Sequence, residues 1–250
     1  MKHLKRLERL NRPWRAAAAL LALAMIFVLA ACGNGSRTPA TDRGTDSGNG
    51  STTARPDVNP SGTGDGTDAT AMPSGTKTLV VYFSRTGEQY TVGVIDHGNT
   101  AIVAEIIAER TGADLWEVLP ADDRYPLTYS ELTDVAKKEQ NENARPAYKG
   151  PAPELSEYDT VFIGAPVWWG DWPMIMYTFF EQNRDALAGK TLIPFSTHEG
   201  SGLSGFDRKL GSAVPGATIG KGLAVRGNDA QNRRDSVRSS VDGWLKDLGF

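Results

Sequence analysis

Five short, apolar-rich runs alternate with helical stretches between residues 77 and 250, and this order limits the possible folds. The runs at 160–166 and 191–197 lack a regular alternation of polar and apolar side chains, which predicts strands buried on both faces. The predicted strands are TLVVYFS (78–84), DLWEVL (114–119), TVFIGAP (160–166), TLIPFST (191–197) and GLAVRG (222–227). The predicted helices are 100–112, 128–143, 173–187, 205–214 and 229–248. The alternation indicates an α/β fold, a doubly wound five-stranded parallel sheet with helices on both faces.

The first 31 residues have the composition of a targeting segment. Basic residues, among them Lys2 and Lys5, precede the apolar run AAAALLALAMIFVLAA, the order found in secretory signal peptides. The run closes on Leu-Ala-Ala-Cys (29–32), which resembles the lipobox of bacterial lipoproteins. That resemblance implies cleavage before Cys32 and its lipidation, which would anchor the protein on the extracytoplasmic face of the cell membrane. The alternative is an uncleaved anchor helix.

Residues 32–76 are rich in Gly, Ser, Thr, Asp and Pro and have almost no apolar side chains, so we expect a disordered tether. Residues 77–250 then form one domain. Cys32 is the single cysteine, and its lipidation would leave the domain without disulfides, cysteine–metal sites or a cysteine nucleophile. The net charge of −3 becomes more negative once the basic leader is removed, which argues against nucleic-acid binding.

The join between the first strand and the first helix carries hydroxyl groups and glycines. Ser84, Thr86 and Thr100 offer hydroxyl donors, while Gly87 and Gly98 allow close approach of the backbone. A helix that begins at this join presents unpaired N–H groups and a partial positive charge, which suits a phosphate monoester. The alternative is a glycine-rich turn with a plain helix cap. No G-x-G-x-x-G occurs here, and the GKT at 189–191 lacks the upstream glycine of a P-loop.

The loops after the third and fourth strands favour a flat ligand. APVWWGDWPM (165–174) holds three tryptophans; we expect Trp172 in the core and at least one of Trp168 and Trp169 against an aromatic ligand. STHEGSGLSG (196–205) is glycine-rich and can hydrogen-bond the edge of a heterocycle. We expect His198 to be a hydrogen-bonding loop residue and not a general base, because no G-x-S-x-G nucleophile motif accompanies it. The sequence predicts no metal site.

Taken together, SRTG with GNT, YDTVFIGAPVWWGDWP (158–173), GKTLIPFSTHEGSG (189–202) and ENARP (142–146) resemble the flavodoxin-like family. This resemblance implies strand order 2-1-3-4-5 and bound FMN, with Trp169 the first choice for stacking on the ring and Trp168 the second. The residues it implies for cofactor binding are Ser84, Arg85, Thr86, Gly87, Gly98, Asn99 and Thr100 at the phosphate, Pro166, Val167, Trp168, Trp169 and Gly170 along the isoalloxazine, and Thr197, His198, Glu199, Gly200, Ser201 and Gly202 at its pyrimidine side.

The chain departs from the family pattern at one place. Flavodoxins run directly from Thr-Gly to Asn-Thr, whereas here EQYTVGVIDH (88–97) intervenes. We expect this insertion to bulge out at the rim of the site, where Tyr90, Asp96 or His97 can contact the cofactor or a partner. Its presence leaves the role of Gly87 open.

The resemblance implies an FMN electron carrier that serves a redox partner protein or a small-molecule electron acceptor. A second reading is an FMN-dependent NAD(P)H oxidoreductase that reduces quinones or nitro compounds, although the sequence has no second nucleotide motif. A third reading, from a different class, is a flavin-free binding module that has kept the fold.

Overall fold

The computed structural model describes residues 77–122 and 124–250. The predicted signal peptide, the lipidation site at Cys32 and the tether lie outside the described residues. The strands are β1 (Thr78–Tyr82), β2 (Gly87–Gln89), β3 (Gly93–Ile95), β4 (Asp114–Glu117), β5 (Thr160–Pro166), β6 (Thr191–His198), β7 (Thr218–Ile219) and β8 (Leu223–Arg226). The helices are α1 (Asn99–Thr111), α2 (Tyr129–Asn141), α3 (Met174–Gln182), α4 (Arg184–Leu187), α5 (Phe206–Ala213), α6 (Gly227–Asn232) and α7 (Arg234–Leu248), with a 3-10 turn at Leu155–Glu157.

The main sheet is parallel and has the order β4-β1-β5-β6, with β8 pairing the end of β6 and β7 its beginning. This arrangement confirms the predicted order 2-1-3-4-5 and the doubly wound α/β fold. The register from Thr160↔Thr191 to Pro166↔Thr197 brings the carboxyl ends of β5 and β6 to the same level. The loops that follow these strands therefore meet at one edge of the sheet, as the loop motifs predict.

Both faces of the sheet are covered. On one face, Val80 and Phe162 pack under α1, α6 and α7, where Trp244 of α7 is also buried. On the other face, Val81 and Ile163 pack under α2, α3, α4 and α5. Adjacent residues such as Val80 and Val81 are both fully buried, which is why the strands read as continuous apolar runs. In the described part of the chain, no helix combines the length and apolarity needed to cross a bilayer.

The fifth predicted strand, 222–227, corresponds to β8, and a short strand that the sequence did not predict, β7, precedes it. β7 pairs with Thr191 and Leu192, β8 begins opposite Phe195, and residues 220–222 bridge the gap between them. The gap lies opposite Pro194 of β6, which has no N–H to donate to a ladder. Glycine is favoured at position 222, because a Cβ there would lie 3.0 Å from the Pro194 carbonyl oxygen and 2.6 Å from a methyl group of Leu203.

Two predicted helices are each broken in two. The stretch predicted at 173–187 forms α3 and α4, because Asn183 leaves the helical path and its side chain donates to the carbonyl of Phe179 at 2.8 Å. The stretch predicted at 229–248 forms α6 and α7, and the break falls at Arg233. The predicted glycine stop of α1 is confirmed, since Gly112 has a left-handed φ of 68° and its N–H caps the carbonyl of Ala108.

Candidate functional site

A cavity of about 500 Å³ opens at the carboxyl edge of the sheet, where the loops after β1, β5 and β6 meet. Its lining residues are Gln89, Tyr90, Asn99, Tyr129, Leu132, Thr133, Ala136, Pro166, Val167, Trp168, Trp169, Gly170, Thr197, His198, Glu199, Gly200, Ser201 and Gly227. Eleven of the predicted cofactor-binding residues are in this set, from Asn99 through Ser201. The remaining seven predicted residues, Ser84, Arg85, Thr86, Gly87, Gly98, Thr100 and Gly202, lie outside the lining.

The start of α1 is organised to bind an anion. Its N-cap is Gly98, which has no side chain to cap the helix, and the Oγ of Ser84 instead accepts the N–H of Ala101 at 3.0 Å. The Thr100 hydroxyl is also used internally, in a buried hydrogen bond of 2.7 Å with the Thr197 hydroxyl. The N–H groups of Asn99 and Thr100 have no acceptor among the residues that the structure describes. These two donors and the helix dipole form a site that suits a phosphate.

Gly98 is required here for space and not for its backbone angle. Its φ of −66° is open to any residue, but a Cβ would lie 2.1 Å from the Ser84 Oγ and 2.9 Å from the carbonyl oxygen of Arg85. The next residue is fixed from the other side, because the Gln231 side chain donates to the Asn99 Oδ1 at 2.8 Å. Gly227 also packs closely on Asn99, since a Cβ at position 227 would lie 2.3 Å from the Asn99 Nδ2. The first turn of α1 is thus held in place by α6.

The Arg85 side chain does not line the cavity. Its guanidinium donates to the carbonyl of Tyr125 and, at 3.4 Å, to that of Pro126, and it lies 5.6 Å from the centroid of the Tyr125 ring. Its role in the structure is therefore to hold the loop before α2. Any contact of Arg85 with a phosphate on α1 would come from its backbone.

The loop after β5 makes a tight turn from Trp168 to Asp171. The N–H and C=O groups of these two residues form two reciprocal hydrogen bonds of 2.9 Å, and the central residues Trp169 and Gly170 have φ values of 51° and 74°. Positive φ at both central positions is the pattern of a type I′ turn. A non-glycine residue in this region costs about 1–3 kcal/mol, a strain that is common at functional sites.

The surroundings of this turn hold the Trp169 indole at the cavity wall. Its Nε1 donates to the carbonyl of Thr133 in α2 at 2.9 Å, and the Lys137 ammonium lies 5.0 Å from its ring centroid. The Gly170 carbonyl accepts from Lys209, which also pairs with Asp171 at 3.1 Å. Trp169 is therefore fixed although 52% of its surface is exposed.

The other two tryptophans of the loop have different environments. Trp168 lines the cavity but is half-buried. Its ring packs edge-to-face on Phe83 and on Tyr125, with centroid distances of 5.3 Å and 5.2 Å. Trp172 is buried, stacks on Phe206 at 3.6 Å, and donates from Nε1 to the Phe206 carbonyl. The prediction that Trp172 belongs to the core is confirmed, and Trp168 and Trp169 remain the candidates for ligand contact.

His198 has the predicted role of a loop hydrogen-bonder. Its Nδ1 accepts the N–H of Gly200 at 2.9 Å, which closes the turn after β6. Burial lowers the pKa of His198, and the nearby Glu199 carboxylate offsets this in part. The imidazole is therefore neutral at neutral pH and able to accept this hydrogen bond.

Glu199 lines the cavity, and its carboxylate is already engaged by protein groups. Its Oε1 accepts the N–H of Asn228 at 2.7 Å, and its Oε2 lies 3.4 Å from the Arg226 guanidinium. The side chain is only 11% exposed. Its negative charge is thus compensated by the first turn of α6 and by Arg226.

The insertion forms an antiparallel hairpin of β2 and β3 that docks on the start of α2. The Glu88 N–H donates to the Leu127 carbonyl at 2.7 Å, and the Glu88 carboxylate accepts the N–H of Tyr129 at 2.8 Å. The Tyr90 ring stacks on the Tyr129 ring, with centroids 5.6 Å apart. Gly87 allows this docking, because its φ is 87° and a Cβ would lie 2.6 Å from the Leu127 carbonyl oxygen.

One side of the cavity is therefore formed by residues that the sequence motifs did not predict. Of the three candidates in the insertion, Tyr90 reaches the lining, whereas Asp96 does not, nor does His97, which pairs with Glu105 at 3.0 Å. The α2 contributors, Tyr129, Leu132, Thr133 and Ala136, have the i, i+3, i+4, i+7 spacing of one helix face. That spacing was the available signal, but it does not show which partner the face meets.

The fold and this cavity define a class, the doubly wound α/β proteins that hold an anionic, flat ligand at the switch point of the sheet. The sequence profile of the flavodoxin family matches residues 77–242. The chain therefore belongs to the flavodoxin family, and the resemblance inferred from the loop motifs is confirmed.

The solved structures that are similar to this chain include two from Bacteroides species. A flavoprotein from Bacteroides uniformis ATCC 8492 is 33% identical, with a TM-score of 0.54, and the alignment covers 69% of this chain and 99% of that protein. A flavoprotein from Bacteroides eggerthii DSM 20697 is 30% identical, with a TM-score of 0.52, over 67% of this chain and 96% of that one. No curated protein matches the chain.

Proposed function

We propose that this protein binds FMN in the cavity and acts as an electron-transfer protein. The observation that carries the proposal is one cavity that is lined both by Asn99, at the start of α1, and by the fixed, exposed indole of Trp169. The backbone N–H groups of Asn99 and Thr100 would hold the phosphate, and Trp169 would stack on the isoalloxazine. When bound, FMN would supply the one- and two-electron chemistry that no side chain of this site can provide.

The cavity residues fit this cofactor. A volume of about 500 Å³ lies within the range of about 300–1,000 Å³ that is usual for small-molecule sites. None of the lining residues in the described part of the chain is Lys or Arg. A helix start can bind a phosphate through its N–H groups alone, so the site does not need a cation. The loop from Thr197 to Ser201 offers backbone groups for the polar edge of the ring.

The location and the partners belong to the same proposal. Lipidation of Cys32 would tether the domain outside the cytoplasmic membrane through residues 32–76. Electrons would pass to or from a redox partner protein or a small-molecule acceptor through the cavity mouth. There Trp169 and Tyr90 are both more than half exposed.

The second candidate is an FMN-dependent NAD(P)H oxidoreductase. The β2–β3 hairpin favours it, because Gln89 and Tyr90 add a second wall to the cavity. An electron carrier needs no such wall, since it binds no substrate there. Steady-state oxidation of NADH or NADPH by the purified protein, with a quinone as acceptor, separates the two candidates. Turnover well above that of free FMN supports the enzyme, and its absence supports the carrier.

We expect the full chain, expressed and purified, to carry FMN or to take it up with a 1:1 stoichiometry. The measurement is the visible flavin absorption before and after addition of FMN, with quenching of flavin fluorescence by Trp169 as a second signal. A colourless protein that leaves the fluorescence of added FMN unchanged would support the flavin-free binding module instead.

We expect Trp169→Ala to weaken FMN binding by about 10- to 100-fold, because aromatic stacking contributes about 1–3 kcal/mol per stacked base. The exposed indole contributes little to the core, so the free energy of unfolding of the apoprotein should change little. Titration of apoprotein with FMN and urea denaturation measure the two effects. Trp169→Phe is the matched control and should retain most of the affinity; equal losses in both variants would argue against stacking.

A further inference from the structure

One wall of the cavity is aromatic and uncharged, and it comes from parts of the chain that the FMN loops do not include. We call it the tyrosine wall. It consists of Gln89 and Tyr90 from the hairpin and of Tyr129, Leu132, Thr133 and Ala136 from α2.

The tyrosine wall is built as a unit. The stacked rings of Tyr90 and Tyr129 are inclined by 28°, and both side chains line the cavity. The carboxylate of Glu88, which precedes Gln89 in the hairpin, fixes the start of α2 through the N–H of Tyr129. Burial raises the pKa of Tyr129, so its hydroxyl keeps its proton and can donate a hydrogen bond.

The wall is also additional to the residues that a flavodoxin needs for FMN. The family's S-x-T-G-N-T loop reaches the helix start directly, whereas this chain places residues 88–97 between the two halves of the motif. The hairpin leaves the helix start intact, because Ser84 still caps Ala101 and Gly98 still packs on Ser84. The hairpin therefore extends the cavity and leaves the first turn of α1 in place, although it takes up Gly87 for its own docking on Leu127.

On the basis of the proposed FMN site, we propose that the tyrosine wall is a second subsite of the cavity, which binds a small, flat, uncharged electron acceptor of the quinone class. Aromatic faces and the apolar side chains of Leu132 and Ala136 suit a planar ring. The phenol groups and the Gln89 amide can donate to quinone carbonyl oxygens. A nicotinamide dinucleotide fits less well, because its diphosphate would find no Lys or Arg among the described lining residues.

The test is equilibrium binding of 1,4-naphthoquinone to the oxidised, FMN-loaded full chain, followed by equilibrium dialysis and by perturbation of the flavin absorption. Both partners are oxidised, so no electron transfer disturbs the equilibrium. We expect saturable binding in the wild type and a loss of about tenfold or more for Tyr90→Leu and for Tyr129→Leu, since each removes one stacking ring. The affinity for FMN, titrated separately, should stay within about twofold.

Two further variants complete the design. Val94→Ser lies on the same hairpin, is 78% exposed and is not part of the lining, so it should bind naphthoquinone as the wild type does. Deletion of residues 87–97 joins Thr86 to Gly98 and so restores the short S-x-T-G-N-T loop; this variant should retain FMN while losing naphthoquinone.

Each of the following outcomes would contradict the proposal, and each would do so for a different reason. Wild-type protein that binds FMN but not naphthoquinone, or tyrosine variants that bind naphthoquinone normally, would show that the subsite does not exist. Tyrosine variants that lose FMN in parallel would show that the wall serves the flavin itself. Failure of the wild type to bind FMN would instead refute the proposed function, and this proposal with it.

Discussion

Gly98→Ala is expected to weaken FMN binding by about 100-fold or more, which corresponds to about 2.7 kcal/mol. A Cβ at this position would lie 2.1 Å from the Ser84 Oγ, so either Ser84 or the first turn of α1 has to move. Movement of Ser84 removes the side-chain acceptor of the Ala101 N–H, and movement of the turn displaces the N–H groups of Asn99 and Thr100. Titration of the apoprotein with FMN, followed by flavin fluorescence, measures the loss.

The matched control for this prediction is a second glycine-to-alanine change. Gly243 lies within α7, and a Cβ there would meet no atom within 4 Å. We expect Gly243→Ala to leave FMN affinity unchanged and to raise the free energy of unfolding by about 0.5–1 kcal/mol, because alanine loses less conformational entropy in a helix. Wild-type affinity in Gly98→Ala would show that the start of α1 does not hold the phosphate.

The sequence predicted those features of the fold that depend on local pattern. Continuous apolar runs such as 160–166 indicated burial on both faces, and the structure gives this strand the same limits, Thr160–Pro166. The glycine stop at Gly112 was predictable for the same reason, because the information lies within a few residues of the feature itself. The strand order was instead implied by the resemblance of the loop motifs to the flavodoxin-like family.

The features that sequence reasoning missed depend on contacts between distant segments. β7 is visible only from its pairing with Thr191 and Leu192 of β6, and the gap between β7 and β8 lies opposite Pro194 of that neighbouring strand. The direction of the Arg85 side chain depends on the carbonyls of Tyr125 and Pro126, which belong to a different loop. The contribution of α2 to the cavity depends on the docking of the hairpin through Glu88. Residue patterns along the chain contain none of these pairings.

Two tryptophans of the loop after β5 are expected to have different roles, Trp172 in the stability of the fold and Trp169 in FMN binding. We expect Trp172→Ala to lower the free energy of unfolding by about 3–5 kcal/mol, the usual cost of truncating a buried aromatic residue. Trp172 is 1% exposed, and the centroid of its ring lies 3.6 Å from that of Phe206 and 5.3 Å from that of Phe180. Urea denaturation of the apoprotein measures this effect.

Trp172→Phe serves as the control, because it keeps a ring against Phe206 but removes the indole N–H that the Phe206 carbonyl accepts at 3.2 Å. An unpaired buried carbonyl costs about 1–3 kcal/mol, so this variant should lie between the wild type and Trp172→Ala. Trp169→Ala, in the same loop, should show the opposite pattern, with stability retained and FMN affinity reduced. If Trp172→Ala left stability unchanged while FMN binding fell, Trp172 would belong to the ligand site and the assignment of the three tryptophans would be wrong.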